Sequence, residues 1–568
     1  MDWRLRAVST QSPISLMMRI ATRLIFFLPL AFLAVFYFYP LAAILRYSFF
    51  PSGALDLSGL NEFFADPYYP GVLWFTIWQA AISTLLTLFA ALPAAYILAR
   101  YRFPGQGLIR ALTTIPFLMP TIVVAPALIA LLGPRGLLNL ALMSTFHLDS
   151  PPIKLLGTVG IIFIAHIFYN FTIVLRLVGG FWANLDPQFG DAARVLGANR
   201  WRVWWEITLP LLAPAILAAA LLVFIFDFTS FGVILILGGV RMATLEVEIY
   251  RQTANLFDLP LAAVLSLVQI VFTFILMIVY TRLQARLAVP LKLRPQNITR
   301  RALKTWRERI TASLILTAML VFLLTPLVIL LIESFDTTSG LGLSNYIELT
   351  INRRGSITYI PPVDIIRNSL GFAALTVVLS VSLGLLAAYS ILNSRRLSAI
   401  LDPLFLLPLA TSAVTLGFGY ILALSDPPLD LRASPWIVPI AHTLIALPLV
   451  TRSVLPLLRD IKPNLREAAA VLGASPAQVW REVDLPIVGR AIIVGAVFAF
   501  TVSMGEFGAT TLIARPEYTT IPLAIYRFLG QPGLVNYGQA LALSSILMGV
   551  SALAIVLMER FRLGEAEF

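Results

Sequence analysis

The chain has 568 residues, 59% of them hydrophobic and 12% charged, with a mean hydropathy of +0.88 and no cysteine. Soluble domains carry about 25% charged residues, so the composition excludes a soluble globular protein, and the cysteine count excludes disulfides, thiolate metal sites and a cysteine nucleophile. The formal charge of +12 sits in short loops beside apolar runs, where basic residues set membrane topology, and no aromatic-basic patch of a nucleic-acid reader accompanies it.

Apolar windows of about 20 residues, the length that crosses a bilayer, recur along the chain. They predict an all-α integral membrane protein with about twelve transmembrane helices. Six fall in the first half, at 24–46, 72–99, 111–133, 156–178, 211–237 and 261–283. Six fall in the second, at 311–333, 368–393, 399–424, 435–456, 487–513 and 538–559. The apolar stretch from Leu24 to Leu45 exceeds the h-region of a signal peptide and reads as an uncleaved first span. The organisation expected is a first transmembrane domain over 1–283, a basic linker over 284–310 and a second transmembrane domain over 311–568.

Basic residues orient these spans. The N-terminus carries Arg4, Arg6, Arg19 and Arg23, and the loop after span two carries Arg100, Arg102 and Arg110. The linker carries Arg282, Arg286, Lys292, Arg294, Arg300, Arg301, Lys304, Arg307 and Arg309. The first opposite loop is acidic, with Asp56, Glu62 and Asp66. Positive-inside bias places both termini and the linker in the cytoplasm. The long outer loop near 334–367, with Gly340, Gly342 and Gly355, reads as a small cap or a flexible connection.

A duplicated segment organises the rest. Asp191-Ala192-Ala193-Arg194-Val195-Leu196-Gly197, with Ile207-Thr208-Leu209-Pro210, returns as Glu467-Ala468-Ala469-Ala470-Val471-Leu472-Gly473, with Val483-Asp484-Leu485-Pro486. The same offset of 276 relates His166 to His442, Arg176 to Arg452, Phe231-Gly232 to Phe507-Gly508, and Tyr250 to Tyr526. An ungapped repeat marks internal duplication. In a membrane protein, parallel repeats imply a pseudo-two-fold axis along the membrane normal with a pathway between the halves. Each repeated loop, 186–210 and 462–486, reads as a small-residue helical turn, a glycine break and an amphipathic stretch. Leu-Pro then re-enters the membrane, with proline at a helix start. A loop under no constraint would not keep glycine and Leu-Pro at one spacing twice, so both loops are predicted to dock a cytosolic partner.

The pattern Glu-Ala-Ala-x3-Gly-x9-Ile-x-Leu-Pro, carried by Glu467, Ala468, Ala469, Gly473, Leu485 and Pro486 and by Ala192, Ala193, Gly197, Ile207, Leu209 and Pro210, resembles the coupling loop of binding-protein-dependent ABC importer permeases. Val483 stands for the isoleucine in the second copy, and Asp191 for the glutamate in the first. The resemblance implies a type I permease with both transmembrane domains fused. Two cytosolic ABC ATPase subunits, holding ATP and Mg, would dock on Asp191, Ala192, Ala193, Gly197, Glu467, Ala468, Ala469 and Gly473. An extracytoplasmic binding protein would deliver substrate from the other side. The chain itself would bind no cofactor and catalyse no reaction.

The chemistry of the remaining residues fits this. None of the four lysines, Lys154, Lys292, Lys304 and Lys462, follows a glycine as a phosphate-binding loop requires. His147 lies in an outer loop, and His166 and His442 are expected to pack helices through hydrogen bonds, so no metal site is predicted. Asp227 and Glu506 fall in spans five and eleven, and the offset matches Asp227 to Ser503 and Glu506 to Ser230. Residues three apart share a helix face, so these four are candidates to line a pathway for a cation; pairing with an arginine or a helix end is the alternative. Residues 238–250 and 515–526 are similar to segments of fused thiamine and ferric-iron permeases, which implies receptor contact for Arg241, Glu246, Arg515 and Glu517. Thiamine ranks first among substrates and ferric iron a close second, with polyamine, sulfate and molybdate behind. The competing function is a secondary transporter driven by an ion gradient, which shares parallel six-span halves but needs no ATPase dock.

Overall fold

The computed structural model describes residues 27–562 except 52, 240, 288–298, 338–339, 353–358, 395–396, 426 and 428. Arg4, Arg6, Arg19, Arg23, Lys292, Arg294, Gly355 and the side chain of Arg286 lie outside the described residues. A lipid environment offers no hydrogen bonds to a bare backbone, and helices dominate accordingly. The first half consists of α1 (Phe27–Phe49), α2 (Tyr68–Arg100), α3 (Gln106–Leu118), α4 (Thr121–Leu132), α5 (Val159–Asn184), α6 (Gln188–Val195), α7 (Leu209–Phe228), α8 (Leu245–Arg251) and α9 (Leu259–Leu287). The second consists of α10 (Trp306–Phe335), α11 (Pro362–Asn393), α12 (Ser398–Ala410), α13 (Ala413–Ala423), α14 (Ile437–Asp460), α15 (Pro463–Val471), α16 (Leu485–Gly505), α17 (Gly508–Ile513), α18 (Ile521–Leu529) and α19 (Leu534–Arg562). Among the described residues eleven helices are long and apolar enough to cross a membrane, and α12 with α13 makes a twelfth if that bent pair is one span.

The halves pack alike. The broadest helix contact is α2 against α5 in the first half and α11 against α14 in the second, with α7 and α16 completing each trio. Each half also lends its first helix to the other. The Tyr39–Phe49 part of α1 packs on α13, and α10 packs on α4. This reciprocal exchange ties the two halves into one bundle and buries the surface between them.

Four predicted spans are broken where continuous helices were expected. Span three stops at Met119, whose extended backbone (φ −70°, ψ 136°) is the conformation imposed on a residue before proline; α4 then starts after Pro120. Span nine breaks at Thr411 and Ser412, between α12 and α13. Spans five and eleven end at Phe228 and Gly505, followed by short non-helical stretches before the chain turns again. At the first of these the chains come very close: a Cβ on Gly232 would sit 2.9 Å from Thr121 Oγ1 and 3.2 Å from Phe507 Cδ1. A side chain here would have to displace the Thr121 hydroxyl and crowd the Phe507 ring.

The linker is anchored where it is described. Arg301 and Ala302 pair in parallel with Tyr101 and Arg102, and the Arg301 guanidinium lies 5.0 Å over the Tyr101 ring and 2.7 Å from Glu308. Burial first, then the Arg110 and Arg102 charges, push the Arg300 guanidinium down to about 10. Part of the long loop near 334–367 is ordered as a hairpin, Asp336–Thr337 against Gly340–Leu341, followed by a short helix at Ser344–Glu348 that packs on α19.

Candidate functional site

The repeated loops adopt one geometry twice. In the first, Leu196, Gly197 and Ala198 donate to Ala192, Arg194 and Ala193 over 3.1, 3.0 and 3.0 Å. In the second, Leu472, Gly473 and Ala474 donate to Ala468, Ala470 and Ala469 over the same distances. This is the αL helix stop that glycine favours. Both glycines have φ +88°, and a Cβ on either would meet nothing within 4 Å. Backbone conformation alone therefore demands glycine here. A second short helix starts at once, capped by Asn199 Oδ1 on the Arg202 N–H and by Ser475 Oγ on the Gln478 N–H. It runs through a π-helical turn, Trp204–Thr208 or Trp480–Asp484, into α7 or α16 without a break. Pro210 and Pro486 consequently follow that turn inside a continuous helix. They do not begin the helix, as sequence had suggested, and the widened turn accommodates their missing N–H.

Both loops present the same apolar tip. Val195 and Leu196 are 87% and 88% exposed, and Val471 and Leu472 are each 88% exposed. Phe189 and Leu465, equivalent by the repeat, are half-exposed beside them. Asp191, Ala192, Glu467 and Ala468 are exposed, while Ala193 and Ala469 are half-buried. Asp191 is held by Arg194 at 3.1 Å; Glu467 has Ala470 at that position and no ion-pair partner among the described residues. The Val-Leu pair was visible in the repeat but is not among the residues singled out there, because a β-branched and a leucine residue at a helix end read as packing. Its signal is the recurrence of large apolar residues in the αL stop itself, where the helix has no face left to bury.

The pathway candidates separate into two unequal clusters. In the second half, Glu506 Oε1 accepts the Ala509 N–H at 2.8 Å, and Oε2 accepts the Thr510 N–H at 2.9 Å and its hydroxyl at 2.5 Å. His442 Nε2 lies 3.2 Å from the same Oε2, and its Nδ1 lies 2.7 Å from Ser503 Oγ. Glu506 is thereby fully engaged in joining α16 to α17. In the first half, Asp227 Oδ1 accepts from Asn170 Nδ2 at 2.7 Å and lies 3.4 Å from His166 Nδ1. His166 is held between Ser83 at 2.9 Å and Ser230 at 3.0 Å. Asp227 is 1% exposed, and its Oδ2 has no hydrogen-bond partner among the described residues.

Asp227 and Ser230 line a cavity of about 340 Å³ between the halves, together with Glu246, Tyr169, Phe231 and Phe507; Ser503 and Glu506 are absent from its wall. Phe231 and Phe507 stack across it with ring centroids 5.5 Å apart, and each also contacts a tyrosine, Tyr250 at 5.4 Å and Tyr526 at 5.2 Å. Glu246 was expected at the receptor surface. It is 1% exposed and accepts from Gln269 Nε2 at 2.8 Å, because α8 turns inward and packs on α9 and α13. The receptor role is therefore corrected for Glu246, while Arg241, Arg515 and Glu517 are exposed.

Two equivalent halves of membrane-length helices that share an axial cavity, each with a projecting helical loop, define a duplicated transport subunit. The chain belongs to the family described as binding-protein-dependent transport system inner membrane component, whose model matches residues 91–289 and again 380–562. It is therefore a multi-pass permease of the ABC importer type. Among its relatives, the probable ABC transporter permease protein y4fN of Sinorhizobium fredii is 26% identical over 510 residues, covering 87% of this chain and 88% of that one. The thiamine transport system permease protein ThiP of Escherichia coli is 27% identical over 488 residues, covering 82% and 84%. That of Haemophilus influenzae is 28% identical over 498 residues, covering 86% and 89%.

Proposed function

We propose that this permease imports a thiamine-like organic cation, with the energy supplied by two ATPase subunits that bind its two loops. ATP and Mg would sit on those subunits, and both termini, the linker and the loops would face the cytoplasm. A binding protein would deliver substrate on the opposite face, near Arg241, Arg515 and Glu517. The observation that carries the ATPase reading is the doubled Val-Leu tip, exposed to the same extent at positions 276 apart. Solvent-exposed large apolar residues on a rigid stop mark a protein interface. An ion-driven transporter has no use for such a pair. Nucleotide would drive the cycle by favouring one arrangement of the loops over another.

The substrate reading rests on the names of the thiamine relatives and on the cavity's chemistry. Asp227 and Glu246 line it, and no lysine or arginine does. That favours a cation and disfavours sulfate or molybdate. Ferric iron, the second candidate, is less well served, since among the described residues no three His, Asp or Glu side chains converge as metal ligands. The test is uptake into proteoliposomes holding the permease with its ATPases and binding protein. ATP-dependent accumulation of thiamine, not competed by ferric citrate, supports the reading; ferric uptake alone overturns the substrate.

A further inference from the structure

We propose that the axial cavity is a substrate subsite for one flat organic cation, and that the first half alone supplies its charge. This deepens, and rests on, the reading of the chain as a permease for a thiamine-like cation.

The two halves are equivalent in backbone but not in what they offer the cavity. Asn170, Asp227 and Glu246 in the first half correspond to Ala446, Ser503 and Pro522 in the second. The second half's own acid, Glu506, has every oxygen occupied by α17 and His442. It works as a joint between two helix segments, each of its oxygens already accepting a hydrogen bond from α17. Asp227 is the opposite case. Oδ1 is held by Asn170, Oδ2 has no donor among the described residues, and the residue lines the cavity. Buried polar atoms without a partner are rare and call for an explanation, and an acid within a membrane bundle usually marks a cation or proton path.

The rest of the wall selects the class of cation. Phe117, Tyr169, Phe226, Phe231 and Phe507 all contribute to it. The Tyr169 hydroxyl is used up on the Pro120 carbonyl at 3.2 Å, so that residue offers its ring. Aromatic faces attract delocalised or quaternary cations, whereas a hard metal ion requires several oxygen donors. About 340 Å³ stands at the lower end of small-molecule sites, enough for one charged ring and its substituents. Asp227 would neutralise the charge while the phenyl rings cover its faces. Because only one half carries the acid, a ligand in this cavity has a single orientation despite the two-fold frame around it.

The experiment is equilibrium binding to the purified full chain in lipid nanodiscs, with no binding protein present. The probes are thiamine and N-methylpyridinium, with ferric citrate as competitor. Saturable binding of both organic cations is expected. Asp227→Asn keeps the acceptor for Asn170 and should weaken binding about ten-fold or more, the worth of a charge-assisted contact. Thr229→Leu is a second variant. Its hydroxyl bonds only to the carbonyl of Ile225, and the larger side chain fills the cavity without altering the acid. It should abolish binding even if Asp227→Asn fails to fold. Equal affinity in wild type and Asp227→Asn, no binding of either organic cation, or displacement by ferric ion overturns the subsite. The transport reading is separable. Loss of thiamine uptake by the complete importer, with Asp227-dependent binding of N-methylpyridinium retained, sinks thiamine and upholds the subsite. Thiamine uptake with no binding to the cavity does the reverse.

Discussion

Phe231 and Phe507 are the same residue of the two repeats, and their rings stack on each other at 5.5 Å with an interplanar angle of 23°. A residue that touches its own equivalent lies beside the symmetry axis, so the pseudo-two-fold axis passes between these two rings. Gly232 and Gly508 follow them, and Tyr250 and Tyr526 back them. Four aromatic side chains therefore meet between the halves at this level and would close a path there.

Opening that closure should produce a leak. Phe231→Ala and Phe507→Ala each remove a buried ring, at a cost of about 3–5 kcal/mol for a well-packed phenyl and about 0.5–1.5 kcal/mol for the stacked pair within it. Because the two residues are equivalent, the variants should behave alike. The measurement is ATP-independent efflux of N-methylpyridinium from proteoliposomes. Both variants should leak faster than wild type, and the double variant should add little. A leak in only one of them would mean that the rings do not form a joint seal.

The repeat that carries this argument was plain in the sequence from Ala165 to Arg251, where the offset of 276 holds without gaps. It was hidden in the earlier helices. Thr76 Oγ1 accepts the Leu245 N–H at 3.0 Å, and Ser369 Oγ accepts the Ile521 N–H at 2.8 Å. Leu245 and Ile521 are 276 apart, yet Thr76 and Ser369 are 293 apart. Changed loop lengths shift the register, and apolar helices under one demand, to be greasy, leave few letters by which to detect it. The helix breaks were hidden for a related reason. Hydropathy sees Phe226 to Leu237 as one apolar run, while the break depends on a close approach at Gly232 that is made by Thr121 and Phe507, far away in sequence. Asp227 was legible as an acid within a predicted span. The inward turn that takes Glu246 off the surface was not, because it is decided by Gln269 on another helix.

The glycine stops make a prediction with a built-in control. At φ +88° a side chain meets no neighbour, so the penalty is the left-handed conformation itself, about 1–2 kcal/mol for an ordinary residue. Gly473→Asn should be tolerated better than Gly473→Val, since asparagine enters this region and β-branched residues resist it. The same order should hold at Gly197. Co-purification of the ATPase subunits is the readout. Equal loss with asparagine and valine would show that something other than backbone conformation requires glycine.

The Val-Leu tips should bind, not fold. Burying a valine or leucine contributes about 1.5–3 kcal/mol, and each tip offers two. Val471→Asp with Leu472→Asp should abolish ATPase association at that loop while leaving the thermal unfolding of the isolated permease unchanged, because neither side chain is buried in it. The same pair at Val195 and Leu196 should act likewise. A permease that keeps full ATP-driven transport with either tip made acidic would exclude these residues from the dock.

The loops are alike in backbone but differently fastened. In the second, Asp484 accepts from Arg466 at 2.7 Å and from the Tyr389 hydroxyl at 2.9 Å, and its side chain is 7% exposed. The equivalent positions in the first are Thr208 and Gly190, and there aromatic packing takes over, with Tyr96 on Trp182 at 5.2 Å and Trp182 on Trp204 at 5.6 Å. Removing one partner of a buried pair leaves the other uncompensated, typically about 3–5 kcal/mol. The Arg466 side chain is 29% exposed, so solvent screening reduces this to about 1–3 kcal/mol. Arg466→Met should therefore accelerate hydrogen exchange across residues 463–484 and leave 187–208 unchanged. Salt does not separate the loops in this way, because the exposed Asp191–Arg194 and Arg202–Glu206 pairs of the first are screened as well. Unchanged protection of residues 463–484 in Arg466→Met would show that the ion pair does not hold the second loop in place.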